Sequence, residues 1–182
     1  MDWTDLTQRM VAASRASFSD LMAIRRGERF YAFILYTDGD CYTVLPSANS
    51  IEKHHEKISK EGIEDAKNAA GYKWYFGEWA YEAWQDGEFT EICRDLSVAS
   101  QLACEKGEFP AFRRQVHASM IKALAVLGGE GFFDPPRSAS KELVVYVSST
   151  DHEESIELEN MSARILNSPE VHAEFIKRYP VG

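Results

Sequence analysis

The sequence has little cysteine, no long apolar run and no secretory leader. Its three cysteines, Cys41, Cys93 and Cys104, form no Cys-x-x-Cys pair, and an odd number without a signal peptide favours reduced thiols in the cytoplasm. The opening MDWTDLTQRM carries acids early and has no apolar core, so we expect no signal peptide. No run approaches the ~18 apolar residues of a membrane-spanning helix, which predicts a protein that does not enter a membrane.

Clustered positive charge is also missing. Acids outnumber bases 29 to 20, giving a net charge of −9. The densest basic spots, residues 25–29 and 112–115, are both short, whereas nucleic-acid binding requires many phosphate contacts. We therefore expect no nucleic-acid partner. An acidic surface instead favours docking on a basic protein.

Familiar catalytic signatures are absent as well. There is no Gly-x-Ser-x-Gly elbow, and SMIK at residues 119–122 lacks the companion motifs of a serine–lysine enzyme. GGEG at residues 128–131 has no following Lys-Ser/Thr and comes after a helical pattern, so it predicts a helix end. His54 and His55 are neighbours and would point about 100° apart on a helix. We expect no catalytic residue, no metal site and no cofactor.

The patterns that are present predict an α+β fold: an antiparallel sheet of three to four strands covered by five to six helices. Length and an apolar content of 45% suit a single globular domain over residues 1–182. Asp-Gly-Asp at residues 38–40, between two strand-like runs, predicts a hairpin. A buried strand is predicted at 141–150, and helices at 2–25, 49–71, 88–105, 109–127, after 151 and from 168.

The aromatic stretch YKWYFGEWAYEAW, residues 72–84, mixes two periodicities. Alternation predicts a strand near 72–76, and the later spacing predicts a short helix after Gly77. Most of these rings would be core. Tyr75 and Trp84 fall off the shared faces, and exposed rings of this kind are enriched in protein interfaces. Cys93 and Cys104 lie on apolar helix faces and are expected to be buried.

Carboxylates form three groups. Asp38 and Asp40 belong to the hairpin turn and are expected to be solvated. Glu78 and Glu82 flank Trp79, where a carboxylate beside an aromatic ring can bind a cation or a sugar. DHEESIELE, residues 151–159, is expected to be a solvated helix start.

The order of several segments resembles a bacterial domain-of-unknown-function family, number 4303. The resemblance covers about residues 3–155 and is most specific in Pro-x-Ala-Asn (46–49), Trp-x₄-Trp-x-Tyr (74–81) and Glu-Gly-Phe-Phe (130–133). The family has no established reaction. It is similar to other small, acidic α/β domains found beside bacterial toxin genes, which act as immunity proteins.

The leading hypothesis is a non-catalytic, immunity-like module that neutralises a basic toxin by occlusion. Its predicted partner-binding residues are aromatic or acidic: Tyr75, Glu78, Trp79, Glu82, Trp84, Asp151, Glu153 and Glu154. The alternative is a hydrolytic or sugar-directed enzyme that uses Glu78, Glu82 or Glu130 near the aromatic stretch.

Overall fold

A mixed four-stranded sheet lies between two layers of helices. The computed structural model describes residues 1–134 and 143–179, except for the side chains of residues 66 and 152–154. The α-helices in this part of the chain are α1 (Trp3–Ile24), α2 (Ile51–Glu61), α3 (Ala66–Trp74), α4 (Thr90–Glu105), α5 (Phe109–Gly129), α6 (His152–Leu166) and α7 (Pro169–Phe175). The strands are β1 (Phe30–Thr37), β2 (Val44–Ser50), β3 (Tyr81–Glu82) and β4 (Val144–Ser149).

The strand order is β3-β2-β1-β4. β2 is antiparallel to both β1 and β3, whereas β4 runs parallel to β1, with Ala32 opposite Val144 and Thr37 opposite Ser149. A parallel neighbour requires a long crossover, which the helices between β2 and β4 provide. The prediction of an antiparallel sheet is therefore only partly right, because β4 was recognised as a strand but not as a parallel one.

Each face of the sheet is covered by its own hydrophobic cluster. Phe33 and Leu35 of β1 point to one face, where they join residues of α1, α4 and α5. Ile34 and Tyr36 point to the other face, where they join Phe76, Trp79 and residues of α6 and α7. Every residue of β1 is buried, which explains why the strand is a continuous apolar run.

The helix predictions hold best where the apolar periodicity is strong. Helices α1, α4 and α5 occupy the predicted ranges to within two residues. The helix predicted at 49–71, with Gly62 as the point where it could be interrupted, forms two helices, because Gly62 ends α2 in the left-handed conformation with φ of 66°. Gly71 does not stop α3, which continues to Trp74. The described chain therefore has seven α-helices rather than five to six.

The aromatic stretch was predicted wrongly at the level of secondary structure. Residues 72–74 end α3, and a 3₁₀ helix follows at Phe76–Glu78 where a strand and then a helix were expected. Only Tyr81–Glu82 pairs with β2, and Ala83 then turns with φ of 51°. The burial of cysteines was also predicted incorrectly in part, since Cys104 is exposed and Cys93 is only partly buried. Residues 135–142 lie outside the described residues; they include most of DPPRSAS (134–140), which we expected to be a loop, and the start of the predicted strand.

The outer edge of β4 is covered by side chains of α6 and the residue after it. Asn167 accepts a hydrogen bond from Val145 N–H at 2.8 Å and donates its amide to Val145 C=O at 2.7 Å. The Ser162 hydroxyl accepts from Val147 N–H at 2.9 Å. These contacts satisfy backbone groups that would otherwise be left unpaired at a sheet edge.

Asp38 organises the loop between β1 and β2 and is not the solvated carboxylate that was expected. Its two oxygens accept hydrogen bonds from the backbone N–H groups of Asp40 (3.0 Å), Tyr42 (3.1 Å) and Thr43 (2.7 Å). The Thr43 hydroxyl donates to the same carboxylate. Asp40 is exposed, as expected.

The two aspartates should therefore differ in their effect on stability. We expect Asp38→Ala to lower the free energy of unfolding by about 2–3 kcal/mol, because charge-assisted bonds to several N–H groups are lost. Asp40→Ala is the matched control and should change it by less than about 0.5 kcal/mol. Urea unfolding followed by circular dichroism measures both values. Similar losses in the two variants would contradict this account of the loop.

Candidate functional site

Helix α3 is held against the sheet through its last carbonyl groups. Asp65 caps its first turn by accepting from Asn68 N–H at 2.8 Å. The Lys73 carbonyl accepts from the Tyr31 hydroxyl at 2.6 Å and from the Trp79 indole N–H at 2.9 Å. The carbonyl groups at a helix end lack intrahelical partners, so these bonds fix the end of α3.

Helix α7 packs beside α3 and leads into a buried ion pair. The Phe175 ring lies 5.3 Å from the Trp74 ring centroid, edge to face. Arg178 then binds Glu159 at 2.8 Å, and both side chains are almost fully buried. The Arg178 guanidinium lies 5.0 Å from the ring centroid of Tyr179. This anchor places Tyr179 next to α3.

The first groove on this face is lined by tyrosines, and we call it the tyrosine groove. It has a volume of about 410 Å³, and its lining includes Tyr72, Tyr75, Tyr179, Lys67, Asn68 and Glu78. Tyr75 is 45% exposed and Tyr179 is 39% exposed. Tyr75 packs over Gly77, where a Cβ would lie 3.0 Å from the ring. Three phenol rings from two distant parts of the chain thus meet at one surface.

The carboxylate of the tyrosine groove is paired with a lysine. Glu78 binds Lys57 at 2.9 Å, and this hydrogen bond raises the pKa of the Lys57 ammonium. The same ammonium lies 5.6 Å from the Tyr72 ring centroid. Burial raises the pKa of the Tyr179 phenol, so its hydroxyl stays protonated at neutral pH. The groove therefore offers neutral rings and hydroxyl groups beside one ion pair and the Lys67 ammonium.

The second groove lies between α3, α7 and the start of β4, and we call it the acid-rimmed groove. It also measures about 410 Å³, and its lining includes Tyr31, Trp74, Val171, Phe175, Glu170 and Glu174. Lys73 and Val144 complete it. Burial raises the pKa of the Tyr31 phenol, which donates to the Lys73 carbonyl and does not titrate near neutrality. Glu170 and Glu174 are exposed on the rim.

The structure brings together only some of the predicted binding residues. Tyr75 and Glu78 lie in the tyrosine groove. Trp79 is 5% exposed and belongs to the core. Glu82 is exposed and accepts a hydrogen bond from the Tyr36 hydroxyl at 3.2 Å. Trp84 is partly buried, and its indole N–H donates to Asp20 at 3.0 Å.

The predicted acidic residues lie elsewhere. Asp151 follows the C-terminal end of β4 and lies 3.7 Å from the Cβ position of Gly39 in the β1–β2 loop. The acid-rimmed groove includes Val144, at the other end of the same strand. The side chains of Glu153 and Glu154 lie outside the described residues.

Sequence reasoning missed the residues that depend on the approach of α7 to α3. Tyr179 and Tyr72 are far apart in the sequence, and no periodicity connects them. Glu170 and Glu174 are spaced four apart on a helix and so share one face. This spacing predicts that the two carboxylates lie on one face of α7. It does not predict which aromatic rings that face approaches.

The described part of the chain contains neither a metal-binding cluster nor a membrane-spanning helix. Within residues 1–134 and 143–179, no group of three or more His, Cys, Asp or Glu residues is arranged to hold a metal ion. None of the helices described there is long and apolar enough to cross a membrane. A third groove of about 520 Å³ near Trp3 and Phe112 contains none of the predicted binding residues.

Comparison with protein families identifies the chain. The model of the family described as "Domain of unknown function (DUF4303)" matches residues 10–168. The chain belongs to the DUF4303 family. No curated protein and no solved structure matches it.

The motifs that suggested DUF4303 make internal contacts in this chain. The Asn49 amide donates to the Tyr31 hydroxyl at 3.1 Å. The Tyr81 hydroxyl donates to the carboxylate of Glu28, with oxygen–oxygen distances of 2.6 and 2.7 Å. Glu130 forms an ion pair with Arg15. The DUF4303 motifs thus hold the loops, strands and helices together, and the two grooves lie beside them.

The two aromatic residues that were predicted to be exposed should differ sharply in stability tests. We expect Trp84→Ala to cost about 2–4 kcal/mol, because the ring packs on the core and its N–H loses Asp20. Tyr75→Ala should cost less than about 1 kcal/mol, because the ring is largely solvated. Thermal and urea unfolding measure both. Equal losses would show that the division into core and surface rings is wrong.

Proposed function

We propose that this chain is a non-catalytic protein-binding module that binds a basic protein through its α3–α7 face. The observation that carries the proposal is the tyrosine groove, in which the exposed Tyr75 and Tyr179 converge with the half-buried Tyr72. Tyrosine combines a large apolar ring with a hydroxyl group and few rotatable bonds, so it binds protein surfaces at low entropic cost.

The charge of the chain supports a basic partner. The net charge is −9, and a surplus of one sign steers an oppositely charged protein towards the surface and speeds association. A basic toxin that is neutralised when this chain covers its active surface is the partner class that we propose. Under this immunity-like role, binding alone suffices and no substrate is transformed.

The enzyme alternative has weaker geometric support. It would use Glu78, Glu82 or Glu130 near the aromatic stretch as a catalytic acid or base. Glu78 binds Lys57, Glu82 accepts from Tyr36, and Glu130 binds Arg15. Among the contacts of the described residues, none joins two of these carboxylates, whereas acid–base catalysis needs groups within reach of one reacting atom. The arrangement therefore favours binding.

The proposal predicts a specific loss of partner affinity. We expect Tyr75→Ala and Tyr179→Ala each to raise the dissociation constant about 10- to 30-fold, as truncation of a hot-spot aromatic does. The partner is first captured from the native host with the tagged chain, then purified, and its affinity is measured by calorimetry. If the partner is a toxin, the same variants should lose protection of cells that express it.

Two controls separate binding from folding. Tyr42→Ala removes a tyrosine from the β1–β2 loop, away from the groove, and should leave the affinity within about twofold of wild type. Gly77→Ala keeps Tyr75 but places a methyl group 3.0 Å from its ring, so it should displace the ring and weaken binding. A partner that binds Tyr75→Ala, Tyr179→Ala and Gly77→Ala like the wild type would refute the role of the tyrosine groove.

A further inference from the structure

The acid-rimmed groove combines aromatic rings with carboxylates. Tyr31, Trp74 and Phe175 supply the rings, and Val171 supplies an apolar wall. Glu170 and Glu174 are exposed at the rim. Ring faces attract cations electrostatically, and nearby carboxylates add to the attraction. A groove with both features is suited to a positively charged side chain.

A cation of the chain itself already occupies these rings. The Lys73 ammonium lies 4.9 Å from the Trp74 ring centroid and 5.3 Å from that of Tyr31. Both distances fall within the range of cation–π attraction, ~6 Å. The position of Lys73 therefore indicates that a positive charge is favourable at this point.

A ligand can displace the Lys73 side chain from these rings without disturbing α3. The Lys73 backbone carbonyl, not its ammonium group, accepts the bonds from Tyr31 and Trp79. The Lys73 side chain is partly exposed. A long lysine side chain can move its ammonium group out into solvent at a small cost in free energy. An entering cation can thus take the place over Trp74 while the helix stays in position.

The carboxylates of Glu170 and Glu174 are ionised, and their contacts lie at the exposed surface. The Glu170 backbone N–H and the Ser168 hydroxyl hold the pKa of the Glu170 carboxyl below its usual value, so it is ionised at neutral pH. Glu174 binds Lys177 at 2.7 Å, but both side chains are largely exposed, and such surface pairs exchange readily.

The C-terminal part of the chain is strongly acidic. Residues 151–175, which include α6 and α7, contain seven acids and one Lys or Arg, which leaves a charge of 1 − 7 = −6 with histidine neutral. Most of the net charge of −9 therefore comes from this part of the chain. Of these acids, Glu170 and Glu174 line the groove, so they attract a basic group that approaches α7.

We propose that the acid-rimmed groove binds an arginine side chain of the partner protein, with its guanidinium over Trp74 and against Glu170 and Glu174. Arginine is favoured over lysine because its planar group stacks on rings and bonds carboxylates in a fork. The inference rests on the proposed function, since it names the chemistry by which the same face recognises a basic protein.

The test uses a defined probe and a local readout. An acetylated and amidated Gly-Arg-Gly peptide is titrated into the full ¹⁵N-labelled chain, with the matched citrulline peptide as the neutral control. The indole N–H signal of Trp74, assigned with Trp74→Phe, reports directly on the groove. We expect the arginine peptide to shift this signal in a saturable way and the citrulline peptide to leave it unchanged.

Three variants sharpen the result. Glu170→Gln/Glu174→Gln should weaken binding about three- to tenfold, as expected for two exposed charges. Glu88→Gln/Glu105→Gln makes the same change in net charge at exposed positions outside the groove, and should have an effect of less than about twofold. Lys73→Met should tighten binding about two- to fivefold, because it removes the resident cation.

The outcomes separate this inference from the proposed function. Equal shifts with arginine and citrulline, or equal losses in the two glutamate double variants, would overturn the arginine site. The tyrosine variants test the proposed function independently with the purified partner. A partner that loses affinity with Tyr75→Ala but not with Glu170→Gln/Glu174→Gln would overturn the arginine site and leave the binding module intact.

Discussion

The burial of β1 on both faces is the constraint from which the rest of the structure follows. A strand whose eight residues are all buried must have a covering layer on each side. One layer is formed by α1, α4 and α5. The other contains α3 and α7, together with the 3₁₀ helix that carries Phe76. Because side chains alternate along a strand, Tyr31 points to this second layer and its hydroxyl reaches the end of α3.

Both candidate grooves lie in the second layer. Helix α6 packs along β4, and the short helices α3 and α7 have nine and seven residues. Aromatic side chains fill the space between them: Trp74 and Phe175 meet edge to face, and Phe175 lies 4.7 Å from the Tyr146 ring centroid. Trp74 is half-buried, and Tyr75 and Tyr179 are exposed, so apolar ring faces with polar edges reach the surface.

The sequence predicted the first layer better than the second, for physical reasons. The long helices carry an apolar stripe that repeats with the helical period, so α1, α4 and α5 could be located closely. Helix α3 has almost no such stripe, because its bonds to the sheet are made by backbone carbonyl groups. The strand predicted near 72–76 was wrong, because an alternation of aromatic residues over so few positions is also compatible with the end of a helix. The exposure of Tyr75 could be predicted because it falls off the local periodic faces. The position of Tyr179 could not, because it depends on the long-range ion pair of Arg178 with Glu159.

The side chains that cover the edge of β4 prevent a second copy of this protein from adding a strand there. Asn167 and Ser162 imitate the hydrogen bonds of an additional strand. A second molecule that tried to extend the sheet there would have to displace both side chains before gaining any bond of its own. This edge of the sheet is thus closed to strand exchange and fibril growth, while the aromatic surface remains open to a partner.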